Sequence, residues 1–505
     1  MAPVEVRGLC KQFGGHVAVD SLSFDIEAGR VTGFLGPNGA GKSTTLRALL
    51  GLISPSSGSA TFGGLRYDEL EQPSARVGAV LEDSSFHPGR SARNHLRVLA
   101  VTGGHPAGRV EDVLATVGLG DVADRRVKGY SLGMRQRLAI ASALLGDPEV
   151  LILDEPTNGL DPPGISWMRE LLRGQAADGR AVLVSSHVLA EVAQSVDDVV
   201  VIANRRARTS RPQHPARRRH ARRARCHPRT RRRDRSPRAP RRARPRTARP
   251  LARDSVPCPD RSTVMTRLLH AELLKLRTTR TFVTLTGCAV SVALLFAILA
   301  ATLVPVDEVS LRDLLLSNPS GIFIWLLGAI GITGEWRHST IASSVLAAPD
   351  RVRLLTAKTL AYALAGVVIA LIVTASMILT GTLIVSGRGG TTLGLAELAD
   401  VLWRNLTVAA LLAALGVGVG SLLRNQIVTV TALLLLGFAI EPLLLPLLPE
   451  ILRFGPTVGA PAAILGTDVP GVWLLAPGLA VAVSIAWASA AFAAGAALLR
   501  NRDLV

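Results

Sequence analysis

Nine residues, Gly36-Pro37-Asn38-Gly39-Ala40-Gly41-Lys42-Ser43-Thr44, constrain this chain more than any other stretch. They follow the apolar run Val31–Leu35 and precede the helix-forming Leu46–Leu52. The spacing is G-x-x-x-x-G-K-[ST] between a strand and a helix. Glycines at these places let backbone N–H groups close around phosphate oxygens, and the helix start adds its positive end. Lys42 brings a point charge to the outer phosphates, and the Ser43 hydroxyl suits a magnesium ion. A chain with this loop must also build a parallel sheet behind it, so an α/β domain is expected.

A second apolar run, Val150–Leu153, ends in Asp154-Glu155. It reads as a buried parallel strand delivering two carboxylates to one sheet edge. There Asp154 can hold magnesium, and Glu155 can orient or deprotonate an attacking water.

Composition divides the 505 residues into three zones. Residues 1–204 alternate short apolar strands with helix-length segments. Residues 205–264 hold 23 Arg, no Lys, three Asp, nine Pro and no aromatic residue; the formal charge of +19 therefore belongs to them, and the rest of the chain is close to neutral. Such a segment cannot bury a core and is expected to be disordered. Residues 265–505 carry long apolar runs, each near the ~20 residues that cross a bilayer. The four cysteines form no CxxC pair, which argues against a disulfide framework or a zinc site. The N-terminus lacks the apolar core of a secretory signal, so the first zone is expected in the cytosol.

Taken together, the quoted residues resemble an ABC-transporter ATPase. Tyr130-Ser131-Leu132-Gly133-Met134-Arg135-Gln136-Arg137 stands where that family carries its LSGGQ signature, as a variant. Asn158-Gly-Leu-Asp161 resembles its dimer-contact loop. The resemblance implies ATP and Mg²⁺ as cofactors and contacts from Gly36 to Thr44. It implies that Ser131 and Gly133 touch the γ-phosphate of ATP held by a partner subunit. It implies that His187 bonds the γ-phosphate and that Phe13 stacks on adenine. Glu82, in Val80-Leu-Glu82-Asp83, replaces the family's usual Gln; it can approach Mg²⁺ or water but carries a charge the Gln lacks. The implied catalytic set is Glu155, His187 and Glu82, and the implied metal ligands are Ser43 and Asp154. One such domain supplies half of two composite sites, so a second copy or a related subunit is expected.

Candidate spans are Phe282–Val304, Asn318–Thr333, Leu360–Val385, Leu406–Leu423, Ile427–Ile440 and Trp473–Leu499. Eleven basic residues fall on the segments placed inside and four outside, which predicts cytosolic ends on both sides of a multi-pass protein of the cytoplasmic membrane. Residues 265–282 resemble the interfacial helix that opens the permease of type-two ABC exporters. Gly334-Glu335-Trp336-Arg337-His338-Ser339-Thr340-Ile341, with Pro349-Asp-Arg351 and Lys358, resembles the cytosolic loop with which that permease contacts the ATPase. The plainer reading of Glu335 and Arg337 is a solvated loop. Glu441 reads either as a functional intramembrane acid or as the wet outer end of a broken fifth span.

The family's ATPases continue past Val199–Asn204 with a glycine turn, another strand and an acidic tail; here the text turns abruptly to Arg, Pro, Ala and His. Arg codons of the form CGN, read one base later, encode Gly, Ala, Val, Asp or Glu. Met265-Thr266 must be ATG-ACN, which holds TGA in that same frame. Two readings stand: a frameshift near Asn204 that joins neighbouring genes, or a fused chain with an Arg-rich linker touching anionic lipid or RNA.

The expected architecture is an ABC-type α/β P-loop ATPase with a helical subdomain over 1–204, truncated at its C-terminal end. The disordered segment 205–264 follows, and then an all-α permease of about six helices over 265–505. The expected function is export of a small hydrophobic compound, drug, antibiotic or lipid, driven by ATP hydrolysis in a dimer of half-transporters. The partners are the lipid bilayer and that compound, with no nucleic acid expected. The alternative is an ATP-binding regulator that uses the Arg tract on RNA or anionic lipid. A tandem-ATPase translation protein is excluded by the single phosphate loop and the apolar runs.

Overall fold

The structure, a computed structural model, describes residues 2–82, 86–187, 196–203, 206–210, 261–303, 311–317, 319–386, 393–467 and 472–504. They divide into two compact units. The first is Met1–Glu71, Arg76–Glu82 and Asp147–Cys258; the second is Gln72–Ala75, Asp83–Gly146 and Pro259–Val505. The helical segment 83–146 thus groups with the C-terminal helices, across the boundary that composition placed at 204.

The first unit is built on two sheets. An antiparallel sheet has the order β2-β1-β4, from β1 (Val4–Phe13), β2 (His16–Ile26) and β4 (Ser57–Phe62). The larger sheet has the order β5-β6-β7-β3-β8-β9. Its strands are β3 (Val31–Leu35), β5 (Val77–Val80), β6 (Val150–Leu153), β7 (Ala181–Ser186), β8 (Asp198–Ala203) and β9 (Arg206–Ser210). All are parallel except β9, which runs antiparallel to β8. Every residue of β3, β6 and β7 is buried. That burial explains their unbroken apolar text: a parallel sheet covered on both faces leaves no polar side to encode. Helix α1 (Lys42–Leu49) follows β3, the single turn α2 (Pro73–Arg76) precedes β5, and α6 (Pro162–Ala177) follows β6.

β9 departs from the sequence expectation. Disorder was expected from residue 205, yet Arg206 to Ser210 pair in register with Ala203 back to Val199. A ladder is made by backbone groups, and a segment without Pro can close an edge whatever its side chains. Residues 211–260, most of the Arg tract, and Asn204 lie outside the described residues.

In the second unit, α3 (Ala92–Gly103), α4 (Arg109–Thr116) and α5 (Leu132–Leu144) form a small bundle. The C-terminal part begins with α7 (Arg261–Arg277), which starts four residues before the compositional boundary at 265. It continues through α8 (Arg280–Leu303), α9 (Leu311–Leu316), α10 (Gly321–Arg337), α11 (Ile341–Ala347), α12 (Arg351–Ser386) and α13 (Leu395–Leu423). The last elements are α14 (Gln426–Leu435), a π turn at Leu436–Ile440, α15 (Glu441–Leu444), α16 (Pro449–Leu452), α17 (Gly459–Leu465) and α18 (Pro477–Asn501).

Among the described residues, six stretches are long and apolar enough to cross a membrane: 280–300, 311–337, 351–383, 395–423, 426–444 and 477–501. The count matches the sequence reading, but the second and third stretches run further into polar text, to Arg337 and from Arg351. Helix α10 crosses α13 at glycines. A Cβ on Gly328 would lie 2.2 Å from the Ala413 carbonyl oxygen, and one on Gly416 2.3 Å from that of Trp325. Without water to drive apolar association, such close backbone approach is what joins helices.

Glu441 is not the wet end of a broken span. It is 1% exposed, and its carboxylate accepts hydrogen bonds from the Thr457, Val458 and Gly459 N–H groups at 3.0, 2.9 and 2.8 Å and from the Thr457 hydroxyl. It ties the fifth stretch to the start of α17. The π turn just before Pro442 widens the helix where proline removes an N–H, and helical residues continue on both sides of it.

Candidate functional site

The C-terminal ends of β3, β6 and β7 converge on the Gly36–Thr44 loop. Gly41, at φ 97°, is required there: a Cβ would lie 2.4 Å from the Ala18 carbonyl oxygen. Lys42 is 6% exposed, donates to the Gly36 carbonyl at 2.8 Å, and lies 3.5 Å from Glu155 Oε1. Its ammonium is thus held over the loop by partners that a phosphate can replace. Ser43 and Thr44 are half-buried in the first turn of α1, while Pro37, Asn38 and Gly39 are exposed.

Asp154 and Glu155 end β6, as the sequence implied. Asp154 is 2% exposed and its N–H donates to the Val80 carbonyl at 2.8 Å. Its Oδ1 accepts from the Ser185 hydroxyl at 2.5 Å, and that hydroxyl in turn accepts from the Glu155 N–H at 2.9 Å. Asp154 Oδ2 is buried with no hydrogen-bond partner among the described residues. A bare buried carboxylate oxygen at the mouth of a phosphate loop fits a hard cation such as Mg²⁺, which takes oxygen ligands. Glu155 adopts φ +49°, a left-handed backbone that costs a non-glycine residue roughly 1–2 kcal/mol. The Ser185 contact holds that strained turn. His187 Nδ1 lies 2.9 Å from Glu155 Oε2, so Lys42, Glu155 and His187 form one connected group. Ser185 was missed from the sequence; only its place two residues before His187 in an apolar strand marked it.

The family model described as ABC transporter matches residues 19–158. The bacitracin transport ATP-binding protein BcrA of Bacillus licheniformis is 43% identical over 202 residues, covering 39% of this chain and 66% of its own length. The lantibiotic transport ATP-binding protein SrtF of Streptococcus pyogenes is 38% identical over 194 residues, covering 38% of this chain and 84% of its own. The chain belongs to the ABC transporter family. A solved ATP-binding subunit of an ABC transporter aligns over 42% of this chain and 90% of its own, at 28% identity and a TM-score of 0.39. This ABC transporter chain carries the family's ATPase domain in its N-terminal part, and six membrane-capable helices follow in the same chain.

The other residues implied for the ABC transporter site stand on other elements. Phe13 ends β1, is 36% exposed, and has Lys11 Nζ 4.8 Å from its ring centroid. Glu82 is exposed just past β5 and makes no hydrogen bond among the described residues; Asp83 lies outside them. Ser131 caps α5, its hydroxyl accepting from the Met134 N–H at 3.2 Å. Ser131 and Leu132 are exposed, and Gly133 follows in the first turn.

The loop that resembles the permease's ATPase contact is ordered by charge. Glu335 is not solvated: it is 7% exposed, and its Oε1 accepts from Lys275 at 2.7 Å and Lys358 at 2.9 Å. Both lysines also reach Glu272, Lys275 at 2.7 Å and Lys358 at 2.5 Å. Arg337 is exposed, as the plainer reading held, and donates to Gln426 at 3.2 Å. Glu272 and Arg90 went unnoticed in the sequence. Only the i,i+3 spacing of Glu272 and Lys275 hinted at the first of them.

Proposed function

We propose that this chain is a half-transporter that hydrolyses ATP and uses the cycle to export a small hydrophobic compound across the cytoplasmic membrane. The connected Lys42–Glu155–His187 group, in one chain with six membrane-capable helices, carries the reading. The relatives named for bacitracin and lantibiotic transport support a drug- or antibiotic-like substrate.

On this reading, nucleotide phosphates draw Lys42 from the Gly36 carbonyl, and loop N–H groups surround them. Asp154 and Ser43 would hold Mg²⁺, which supplies charge neutralisation at the phosphates. Glu155 takes the proton of the attacking water as its oxygen bonds the γ-phosphorus and the bond to the bridging oxygen breaks. His187 holds Glu155 in line through its 2.9 Å contact. Ser131 and Gly133 of a second subunit complete each site, Phe13 packs on the adenine, and Glu82 senses the γ-phosphate side. ATP favours the closed dimer and its products the open one, and that difference drives the permease half. Both ends of the chain face the cytosol.

The test uses the full chain in proteoliposomes with outward-facing ATPase domains. ATP and Mg²⁺ should drive a hydrophobic fluorescent dye or bacitracin into the lumen, and Glu155→Gln should abolish uptake while ATP binding persists. Hydrolysis with no ATP-dependent movement of any tested compound would overturn the export reading.

A further inference from the structure

A cavity of about 310 Å³ opens inside the second unit, where α3, α7, α10 and α11 meet the starts of α8 and α14. That volume is at the small end of ligand sites, roughly 300–1,000 Å³. Its walls hold Arg90, Lys275 and Arg337 against Glu335, and two of these groups, Arg90 and one oxygen of Glu335, are under-satisfied. Arg90 is 6% exposed, and the only side chain it reaches among the described residues is Thr278, whose Oγ1 accepts from its Nε at 3.1 Å. Thr278 in turn donates to the Leu274 carbonyl at 2.7 Å, so the guanidinium is fixed by one edge. No carboxylate lies within ion-pairing distance of it among the described residues. Across the cavity, Glu335 Oε1 accepts from the two lysines, while Oε2 is buried with no hydrogen-bond partner among the described residues.

Burying a guanidinium without a carboxylate, and a carboxylate oxygen without a donor, is costly unless something pairs each of them. The two do not pair with each other. A simple anion would satisfy Arg90 but leave Glu335 Oε2 without a donor; a simple cation would do the reverse. A molecule carrying both a phosphate and a primary ammonium satisfies both. The neighbours suit the phosphate end. His87, His95 and His338 line the cavity. Burial and Arg90 push His87 down to about 4 and His95 down to about 3, so both are neutral N–H donors at pH 7. His87 Nδ1 accepts from the Gly89 N–H at 3.2 Å, which leaves Nε2 to carry its proton.

We propose that this cavity binds a phosphate–ammonium zwitterion of the phosphoethanolamine type, with the phosphate on Arg90 and the ammonium on Glu335. The position suits a lipid headgroup. Thr281 and Gln426 line the cavity at the starts of two membrane-capable helices, and next along the chain Val283, Ile427 and Val428 are 69%, 74% and 50% exposed. These apolar side chains offer acyl chains a path from the cavity rim. The lipid source rests on the reading that these helices cross the bilayer.

The experiment measures binding of dihexanoyl phosphatidylethanolamine, phosphatidylglycerol and phosphatidylcholine, and of free phosphoethanolamine, to the full chain in detergent by native mass spectrometry. Phosphatidylethanolamine should bind at least tenfold tighter than the other two lipids. Phosphatidylglycerol lacks the ammonium, and the choline ammonium cannot donate to Glu335. Arg90→Gln should lose binding of all the lipids. Glu335→Gln should keep binding but erase the ethanolamine preference, and Arg453→Gln, outside the cavity, should change nothing. Arg90→Lys, which keeps the charge in a smaller group, should weaken binding while leaving the folded mass and thermal transition in place. Free phosphoethanolamine binding as tightly as the lipid would assign the site to a soluble zwitterion, and lipid binding alone assigns it to the membrane. Equal binding of all three lipids, tighter phosphatidylglycerol, or an unchanged Arg90→Gln variant would overturn the proposal. Flotation with liposomes, run alongside, reports separately whether the chain enters membranes at all.

Discussion

Replacing Lys358 by Met tests the buried charge cluster most directly. Lys358 is 1% exposed, and its ammonium lies 2.5 Å from Glu272 and 2.9 Å from Glu335. The described cluster is balanced, with Lys275 and Lys358 against Glu272 and Glu335. Met fills the stem's volume but leaves two buried carboxylates sharing Lys275, which is itself bonded to both at 2.7 Å. Removing one partner of a buried pair costs about 3–5 kcal/mol, because the remaining charge stays desolvated. For a unit of roughly 300 residues that is a fall of about 5–8 °C in Tm. The assay is thermal unfolding of the detergent-solubilised full chain, followed by tryptophan emission at a fixed scan rate. The double variant Glu272→Gln/Lys358→Met restores neutrality, and we expect it to recover at least half of the loss. A single variant within 2 °C of the natural chain, or a double variant less stable than the single, would refute the reasoning.

Glu155→Gln should lower steady-state ATP hydrolysis by at least 100-fold with ATP affinity kept, as a phosphate-release assay beside nucleotide binding would show. Ser185→Ala removes both the 2.5 Å bond to Asp154 and the acceptor for the strained Glu155 N–H. It should cost about 1–3 kcal/mol and lower hydrolysis more than ATP binding, read from denaturation and from the split between kcat and KM. Gly416→Val should force α13 away from α10 at the 2.3 Å approach to Trp325, with loss of folded protein on size-exclusion chromatography. Burial lowers the His95 pKa to about 3, so the unfolded chain binds the extra proton first. Stability should therefore be full above pH 6.5 and fall by up to about 1.4 kcal/mol per pH unit as the pH drops toward 3, a slope that His95→Gln flattens.

The nucleotide half was legible because its signals are local. The loop from Gly36 to Thr44 is read in one window, and the strand ending in Asp154-Glu155 announces itself by an unbroken apolar run. The fully buried β3, β6 and β7 needed nothing from elsewhere in the chain to be recognised. The end of the sheet was misread for the opposite reason. Composition reports side chains, and β9 is held by backbone pairing at an edge where composition has little say. The second and third membrane stretches extend beyond their apolar text, because Arg337, Arg351 and Lys358 taken alone look like loop residues. A helix carries such residues past its apolar segment whenever their charges find partners at its end.

That last condition explains what the sequence concealed in the C-terminal half. Glu272 and Lys275 share α7, while their partners Glu335 and Lys358 come from α10 and α12; the bonded pairs between helices are separated by 23 to 86 positions. No window of text contains them together, and each alone looks like an ordinary polar residue beside a span. Glu441 repeats the lesson: its partners Thr457, Val458 and Gly459 lie 16 to 18 positions on, so the acid reads as exposed or functional until the fold returns those N–H groups to it. In an apolar medium a charge persists only where the tertiary structure supplies its counterpart. A charged residue at the end of a membrane helix is therefore evidence of a partner elsewhere in the chain. Arg90 and the second oxygen of Glu335 have no such partner among the described residues, and that imbalance directs attention to the cavity between them.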